Sequence, residues 1–105
     1  MNMQIRFTDD EIKLMQAALD QWGLNAQIGQ AVEECAELIV ILQKYVNRPQ
    51  QQTTHDSIID EIADVEMMLA QIRLALSIDD TALRKRIETK FKKLNQYLSE
   101  DERSA

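Results

Sequence analysis

The feature that most constrains the fold of this chain is a pair of apolar stripes at helical spacing, one on each side of a short polar stretch. With successive residues about 100° apart round a helix, the first stripe consists of Ile28, Val32, Cys35, Ile39, Leu42 and Val46. The second consists of Ile58, Ile62, Val65, Leu69, Ile72 and Leu76. Pro49 lies between them and interrupts the helix, because proline donates no N–H and disfavours helical geometry at the preceding residue. The pattern predicts a central antiparallel hairpin of two long helices with the stripes in its core.

Two pairs of acids lie along one edge of these stripes. Glu34 and Glu37 flank the first stripe, and Glu61 and Asp64 flank the second. Residues three apart share a helix face, so the two pairs can meet across the hairpin as a cluster of four carboxylates. Such a cluster repels itself unless it holds a cation, and oxygen ligands select hard ions, Mg²⁺ with Mn²⁺ as a substitute. One such acid is usually a surface residue, but two matched pairs favour a metal site.

Length and composition place the chain among small helical proteins. Its 105 residues predict a single domain over 1–105, and the two glycines and one proline favour an all-α fold. The net charge of −6 argues against nucleic acid as a partner. No segment is long and apolar enough for a membrane span. The single Cys35 is interpreted as a buried small hydrophobe, which suits a cytoplasmic protein.

Capping signals divide the chain into four helices. A capping box at Thr8 to Glu11 predicts a first helix from Asp9 to Gly23, and residues 22–27 are expected to connect it to a second helix over 26–46. Thr53 or Thr54 is expected to cap a third helix that ends near residue 76, and Ser77 or Asp79 a fourth. Residues 99–105 are expected to be frayed. The fourth helix carries an apolar stripe at bundle spacing, with Leu83, Ile87, Phe91, Leu94 and Leu98.

Two further groups of residues have both a structural and a functional interpretation. Trp22 is a core or cap residue, or it stacks on a base that Asn25 and Gln27 help to bind. Lys90 and Lys93 belong to a solvated basic face of the fourth helix, or they neutralise phosphates held by the metal. The spacing of the residues leaves these alternatives open.

The acidic motifs resemble a known family. Val32-Glu33-Glu34-Cys35-Ala36-Glu37-Leu38, followed by Asp60-Glu61-Ile62-Ala63-Asp64-Val65, is similar to the two core helices of the MazG-like, all-α nucleoside triphosphate pyrophosphohydrolases, a superfamily that includes dimeric dUTPases. Lys90-Phe91-Lys92-Lys93 resembles the basic stretch of the family's last helix. The resemblance covers roughly residues 22 to 94.

This resemblance implies a fold, a reaction and a set of site residues. The fold is an oligomeric, four-helix bundle-like MazG fold, and the reaction is hydrolysis of a nucleoside triphosphate to monophosphate and pyrophosphate. The resemblance makes Glu34, Glu37, Glu61 and Asp64 the Mg²⁺ ligands. Glu33 becomes an auxiliary group that orients or deprotonates water, or holds a basic residue. Lys90 or Lys93 adds cationic stabilisation. The small chain is expected to work as a homodimer or a dimer of dimers, with its sites between subunits.

Two other functions compete with the pyrophosphohydrolase. A di-iron carboxylate bundle needs Glu-x-x-His motifs, whereas the only histidine, His55, has Gln52 three residues before it. A non-catalytic helical module that binds nucleotide with Mg²⁺, or binds a protein partner, uses the same acids without turnover. The sequence does not identify the preferred base or sugar.

Overall fold

The structure is a computed structural model that describes residues 6–104. This part of the chain contains four helices and no strand: α1 (Asp9–Trp22), α2 (Leu24–Asn47), α3 (Gln52–Ala75) and α4 (Asp80–Ser104). The all-α prediction is therefore confirmed. In the described residues, none of the helices combines the length and the apolar character that a bilayer crossing requires.

The predicted boundaries of α1 are confirmed. The Thr8 hydroxyl accepts a hydrogen bond from the Glu11 backbone N–H at 3.1 Å, and the Glu11 carboxylate accepts one from the Thr8 N–H at 2.7 Å. At the other end, Gly23 has a φ of 88°, a left-handed value that favours glycine. The predicted connection over residues 22–27 is too long, because Gly23 alone separates α1 from α2.

Helices α2 and α3 form the predicted antiparallel hairpin. The contact line between them, called the seam below, pairs Gln27 with Gln71, Glu34 with Asp64 and Glu37 with Glu61. The numbers fall on α2 as they rise on α3, which is the register of an antiparallel pair. The prediction of a threonine cap for α3 is wrong: Gln51 is the N-cap without a side-chain hydrogen bond, and Thr54 is buried within the first turn.

The two apolar stripes do not form the core of the hairpin. Each stripe residue follows a seam residue by one position, which turns its side chain about 100° away from the seam. Viewed from one end, the chain turns in opposite senses in two antiparallel helices. Both stripes therefore fall on the same side of the hairpin. This side, called the outward face below, comprises Ile28, Val32, Cys35, Ile39, Leu42 and Val46 of α2 and Ile58, Ile62, Val65, Leu69, Ile72 and Leu76 of α3. Ile39 is 63% exposed and Val46 72%. Cys35 is also exposed, so its interpretation as a buried residue is wrong.

Helix α1 covers the opposite side of the hairpin. Its residues Met15 and Leu19 are buried, and it contacts both α2 and α3. The hairpin residues that line a cavity together with α1, such as Ala26 and Met67, lie one position before the seam residues. The hairpin thus has one covered side and one uncovered side.

Helix α4 leaves this three-helix unit. Asp79 caps it as predicted, accepting a hydrogen bond from the Ala82 backbone N–H at 2.7 Å, and Arg73 forms an ion pair with Asp80 at the α3–α4 connection. Within the described residues, the α4 backbone makes no close approach to α1, α2 or α3. The helix continues through residues 99–104, for which the sequence predicted fraying, and Ala105 lies outside the described residues.

Candidate metal centre and adjoining cavity

The structure brings the four predicted acids together across the seam. Glu34 and Glu37 are one turn apart on α2, and Glu61 and Asp64 are one turn apart on α3. Glu34 and Asp64 are neighbours across the seam, and so are Glu37 and Glu61. The four residues are called the acidic cluster below. The antiparallel register produces it, because it places Glu34 opposite Asp64 and Glu37 opposite Glu61.

The spacing of the carboxylate oxygens fits a small divalent ion. One oxygen from each of Glu34, Glu61 and Asp64 lies within 4.8 Å of the others. Octahedral Mg²⁺ holds oxygen ligands at about 2.1 Å, so its ligands lie roughly 3.0 to 4.2 Å from one another. A slight contraction of the three side chains brings them into that range. Glu37, the fourth predicted ligand, is next to Glu61 but does not belong to this group of three.

Two carboxylate oxygens of the acidic cluster are buried without a partner. Glu34 Oε2 and Glu61 Oε2 are shielded from water and accept no hydrogen bond from the described residues. The other oxygen of Glu34 accepts one from Gln30 Nε2 at 2.8 Å. A buried polar atom without a partner is costly. A hard cation bound between them would satisfy both oxygens, so these carboxylate ligands fit Mg²⁺ or Mn²⁺.

The acids also perturb one another electrostatically. Burial raises the pKa of Glu61, and repulsion from Glu37, Glu34 and Asp64 raises it further. Burial likewise raises the pKa of Asp64, with a further contribution from Glu34. No lysine or arginine of the described residues lowers the pKa of Glu61 or Asp64. The cluster is therefore short of positive charge, as expected of residues that hold a metal ion.

A cavity of about 820 Å³ adjoins the acidic cluster on the side that α1 covers. Its lining is mostly apolar and contains no lysine or arginine among the described residues: Phe7, Glu11, Leu14, Met15, Ala18, Trp22, Ala26, Gln27, Gln30, Met67, Met68 and Gln71. Gln30 lines the cavity and also donates to Glu34. On α3, Met67 follows Asp64 by one turn. The cavity and the acidic cluster are therefore neighbouring parts of one site.

A buried amide pair forms the floor where the cavity meets the seam. Gln27 Nε2 donates to Gln71 Oε1 at 2.6 Å, and Gln71 Nε2 contacts the Met68 sulfur at 3.7 Å. Gln27 and Gln71 are only 6% and 4% exposed. The pair keeps an amide oxygen and amide hydrogens for a ligand, which is the mixed donor and acceptor set of a nucleobase edge.

Of the other predicted site residues, some lie at the cavity and some lie away from it. Trp22 lines the cavity and is 61% exposed. Glu33 lies on the cavity side of α2, one turn beyond Gln30. Asn25 is exposed and does not line the cavity. Lys90 and Lys93 are exposed on α4, which lies apart from the hairpin, so one chain does not bring them to the acidic cluster.

Sequence reasoning missed most of the cavity lining, including three residues at its junction with the seam. Gln30, Met68 and Gln71 line the cavity, although none of them belongs to an acidic motif. The hairpin register is the signal that finds Gln71: if Glu34 faces Asp64, then the residue seven positions earlier, Gln27, faces the residue seven positions later, Gln71.

No family model, no curated protein and no solved structure matches this chain. The resemblance to the MazG-like pyrophosphohydrolases therefore stays a prediction. A functional argument has to start from the geometry of the acidic cluster and the cavity.

Proposed function

We propose that the chain is a Mg²⁺-dependent pyrophosphohydrolase that converts a ribo- or deoxyribonucleoside triphosphate to its monophosphate and pyrophosphate. The observation that carries this proposal is the junction of the acidic cluster with the cavity at Gln30. A nucleoside triphosphate has the same two parts, a charged chain that needs a divalent ion and a flat heterocycle that needs an apolar cavity. Such a reaction suits the sanitation of a nucleotide pool.

In this proposal the four acids hold the ion. Glu34, Glu37, Glu61 and Asp64 supply carboxylate oxygens from both sides of the seam, and Mn²⁺ can substitute because it also prefers oxygen ligands. When bound, Mg²⁺ supplies the positive charge without which an acidic pocket repels a triphosphate. Gln30 orients Glu34 through its hydrogen bond and keeps one carboxylate oxygen directed at the seam.

The cavity takes the base and part of the sugar. Its volume of about 820 Å³ lies within the usual range for small-molecule sites, about 300 to 1,000 Å³. Apolar side chains cover the faces of the base, and Trp22 offers an indole for stacking. The Gln27–Gln71 pair offers hydrogen bonds to its edge. Asn25 is exposed at the start of α2, so in this proposal it contacts the nucleotide outside the cavity.

The hydrolytic step needs water beside the α-phosphorus. Water adds to the α-phosphorus, the bond from that phosphorus to the α–β bridging oxygen breaks, and pyrophosphate leaves with the electron pair. Glu33, exposed on the cavity side of α2, is the carboxylate we assign to accept the proton of the attacking water. The proposal gives Lys90 and Lys93 no phosphate contact within one chain, because α4 lies apart from the hairpin. It includes the predicted homodimer or dimer of dimers.

One observation favours a second candidate, a module that binds nucleotide with Mg²⁺ without turnover. The described residues place no lysine or arginine in the cavity lining, and a cation that stabilises the leaving pyrophosphate is a common requirement of this chemistry. This candidate predicts binding without release of pyrophosphate.

The test is a turnover assay with a matched pair of variants. Purified protein is incubated with Mg²⁺ and each common ribo- and deoxyribonucleoside triphosphate, and products are separated by ion-exchange chromatography. We expect monophosphate and pyrophosphate from the wild type. Glu61→Gln should lower kcat/KM at least ~1,000-fold, the scale of losing several kcal/mol of charge stabilisation. Glu66→Gln, an exposed acid on the same helix outside the cluster, should keep wild-type activity.

Each outcome decides between the candidates. If Mg²⁺-dependent nucleotide binding is measured by calorimetry but no nucleotide is cleaved with Mg²⁺ or Mn²⁺, the binding module is correct and the enzyme proposal is wrong. If Glu61→Gln cleaves as fast as Glu66→Gln, the acidic cluster does not take part in turnover.

A further inference from the structure

The connection between α2 and α3 lines another cavity, at the opposite end of the seam from the amide pair. It has a volume of about 360 Å³ and is called the bend cavity below. Its lining includes Lys44 and Arg48 and, among the described residues, no aspartate or glutamate. The chain as a whole carries a net charge of −6, so the bend cavity is a local region of positive charge.

The hairpin register separates the bend cavity from the acidic cluster. Glu37 faces Glu61 across the seam, and seven positions further towards the connection the facing residues are Lys44 on α2 and Thr54 on α3. Seven residues make about two helical turns, a rise of roughly 10 Å. The bend cavity is therefore a site of its own, and an ion held by the acidic cluster is not shared with it.

The two cations of the bend cavity have no partner. In the part of the chain that the structure describes, the side chains of Lys44 and Arg48 form neither an ion pair nor a hydrogen bond. Both residues are exposed. Because no ion pair has to be broken first, both side chains are available to an anion in the cavity.

The start of α3 adds backbone donors to this site. Gln51 is the N-cap without a side-chain hydrogen bond, and the first turn of α3 contains no acid. The Gln51 carbonyl accepts the first intrahelical bond, from the His55 N–H at 3.3 Å. The backbone N–H groups of residues 52–54 consequently have no acceptor within the described residues. Such a helix start carries partial positive charge and attracts anions.

A buried hydroxyl is the independent observation that indicates a ligand. Thr54 is only 6% exposed, and its side chain makes no hydrogen bond to the described residues. Other helical hydroxyls donate to the carbonyl four residues earlier, as Ser57 does to Thr53 at 2.8 Å and Thr89 to Lys85 at 3.2 Å. The Thr54 oxygen is not fully shielded and Thr54 lines the bend cavity, so the hydroxyl is open to that cavity. A ligand there removes the cost of leaving it unpaired.

We propose that the bend cavity binds a phosphate-type oxyanion, either as the free ion or as the phosphate group of a larger molecule. The anion accepts hydrogen bonds from the Thr54 hydroxyl and from the N–H groups of residues 52–54, and Lys44 and Arg48 neutralise its charge. Donors on several sides match a tetrahedral oxyanion better than a planar carboxylate. The volume of about 360 Å³ is near the lower end of the range for small-molecule sites, about 300 to 1,000 Å³, which suits a small ion.

The test follows backbone amide resonances by NMR while pyrophosphate is added in EDTA at constant ionic strength. EDTA removes divalent ions, so the acidic cluster cannot hold the anion through a metal. We expect saturable shifts at residues 52–54 with a Kd on the order of 1 mM or below. No saturation up to about 10 mM, or saturable shifts confined to other residues, overturns the proposal. The test involves neither Mg²⁺ nor turnover, so this inference and the enzyme proposal can fail separately.

A matched pair of lysine variants separates the site from the overall charge. Lys44→Gln removes a cation of the bend cavity, and Lys13→Gln removes an exposed cation of α1 outside it. Both variants change the net charge by the same amount. Lys44→Gln should weaken pyrophosphate binding at least ~10-fold, the scale of one charge-assisted contact, and Lys13→Gln should bind like the wild type. Equal affinities of the two variants overturn the proposal.

Thr54→Val tests the hydroxyl itself. The substitution keeps the branched shape and removes the oxygen, so it should weaken pyrophosphate binding about 10-fold. Without the anion its Tm should equal or exceed that of the wild type, because an unpaired buried hydroxyl is gone. A lower Tm with unchanged affinity indicates a purely structural hydroxyl and overturns the proposal. If Thr54→Val does not fold, the lysine pair decides.

The source of the anion is distinguished by comparing three probes in the same EDTA buffer: inorganic phosphate, pyrophosphate and ATP. If ATP shifts the amides of residues 52–54 in the same way, the site accepts phosphate groups of larger molecules. If only the two inorganic ions do so, the ligand is the free ion. Both results support the phosphate site, whereas equal and unsaturable shifts with all three probes overturn it.

Discussion

The seam and the outward face belong to the same two helices, yet the buried seam contains polar and acidic residues while the exposed outward face is apolar. The seam buries Gln27 and Gln71, exposed by 6% and 4%, and holds four carboxylates. The outward face leaves Ile39 and Val46 exposed by 63% and 72%. In a chain that had only to fold alone, removal of apolar surface from water would favour the opposite arrangement.

The difference shows that helix amphipathicity does not identify the partner of an apolar face. A helix has room for two contact surfaces, and the seam here accepts Gln27 and Gln71 because they are paired with each other. Three properties can be tested: the stabilising effect of the Gln27–Gln71 pair, the stabilising effect of the α1 cap, and the destabilising effect of the acids.

The largest expected effect on stability is that of the buried amide pair. Gln27→Leu removes the donor to Gln71 Oε1 and leaves a buried acceptor unsatisfied, which should lower the free energy of unfolding by about 1 to 3 kcal/mol. The double variant Gln27→Leu with Gln71→Leu replaces both partners by apolar groups of similar size and should be close to wild type. Urea unfolding at one fixed protein concentration measures both.

The comparison between single and double variants provides the control. If the two single substitutions simply add, the amides are not coupled, and the polar seam is not held by pairing. The double variant should also lose affinity for nucleotide, because the donor and acceptor set at the cavity floor is gone.

A smaller effect is expected at the helix that covers the other side of the hairpin. Thr8→Ala removes the N-cap of α1, whose hydroxyl accepts the Glu11 N–H at 3.1 Å, and should cost about 1 kcal/mol. In a domain of this size that lowers Tm by roughly 4 to 8 °C. Thr89→Ala, an exposed threonine whose hydroxyl donates to the Lys85 carbonyl within α4, should leave Tm nearly unchanged. Equal losses in the two variants would contradict a capping role for Thr8.

The smallest effect concerns the acids, measured without metal. The folded state raises the pKa of Glu61 above its ordinary value of 4.5, so the native chain binds this proton more tightly than the unfolded chain does. The stability from this group is fully present below pH 4.5 and is lost as the pH rises through the raised pKa. Glu61→Gln should therefore raise Tm in EDTA at pH 7, and the gain should disappear as the pH falls towards 4.

Magnesium should reverse the order of the two melting temperatures, so that the wild type melts above Glu61→Gln. At pH 7 with excess Mg²⁺ the wild type gains stability from binding and Glu61→Gln gains less. Glu66→Gln, away from the cluster, should show neither the pH-dependent gap nor the reversal in differential scanning fluorimetry. A Glu61→Gln protein that melts below the wild type in EDTA at pH 7 would show that the carboxylate stabilises the fold, contrary to its environment.

Much of the local structure was predictable from the sequence. The capping box at Thr8, the left-handed Gly23 and the Asp79 cap of α4 involve only residues within four positions of one another, so short-range chemistry determines them. The meeting of the two acid pairs across the hairpin was also predicted, while the pairing of Glu34 with Asp64 and of Glu37 with Glu61 came from the structure. Local rules failed where the signal was weak, as at the start of α3, where neither Thr53 nor Thr54 provides the cap.

Helix periodicity and capping depend on neighbours along the chain, so the four helices, the central hairpin and the four acids were predictable without coordinates. Which side of each helix is inside depends on how the helices pack. The tertiary structure placed the stripe of Ile39 in solvent and Gln27 in the seam, because α1 packs on one side of the hairpin only and a period of about 3.6 residues cannot say which side. It also brought Gln30 and Gln71 to the cavity, since these residues are distant in sequence and meet only when α1, α2 and α3 are packed together.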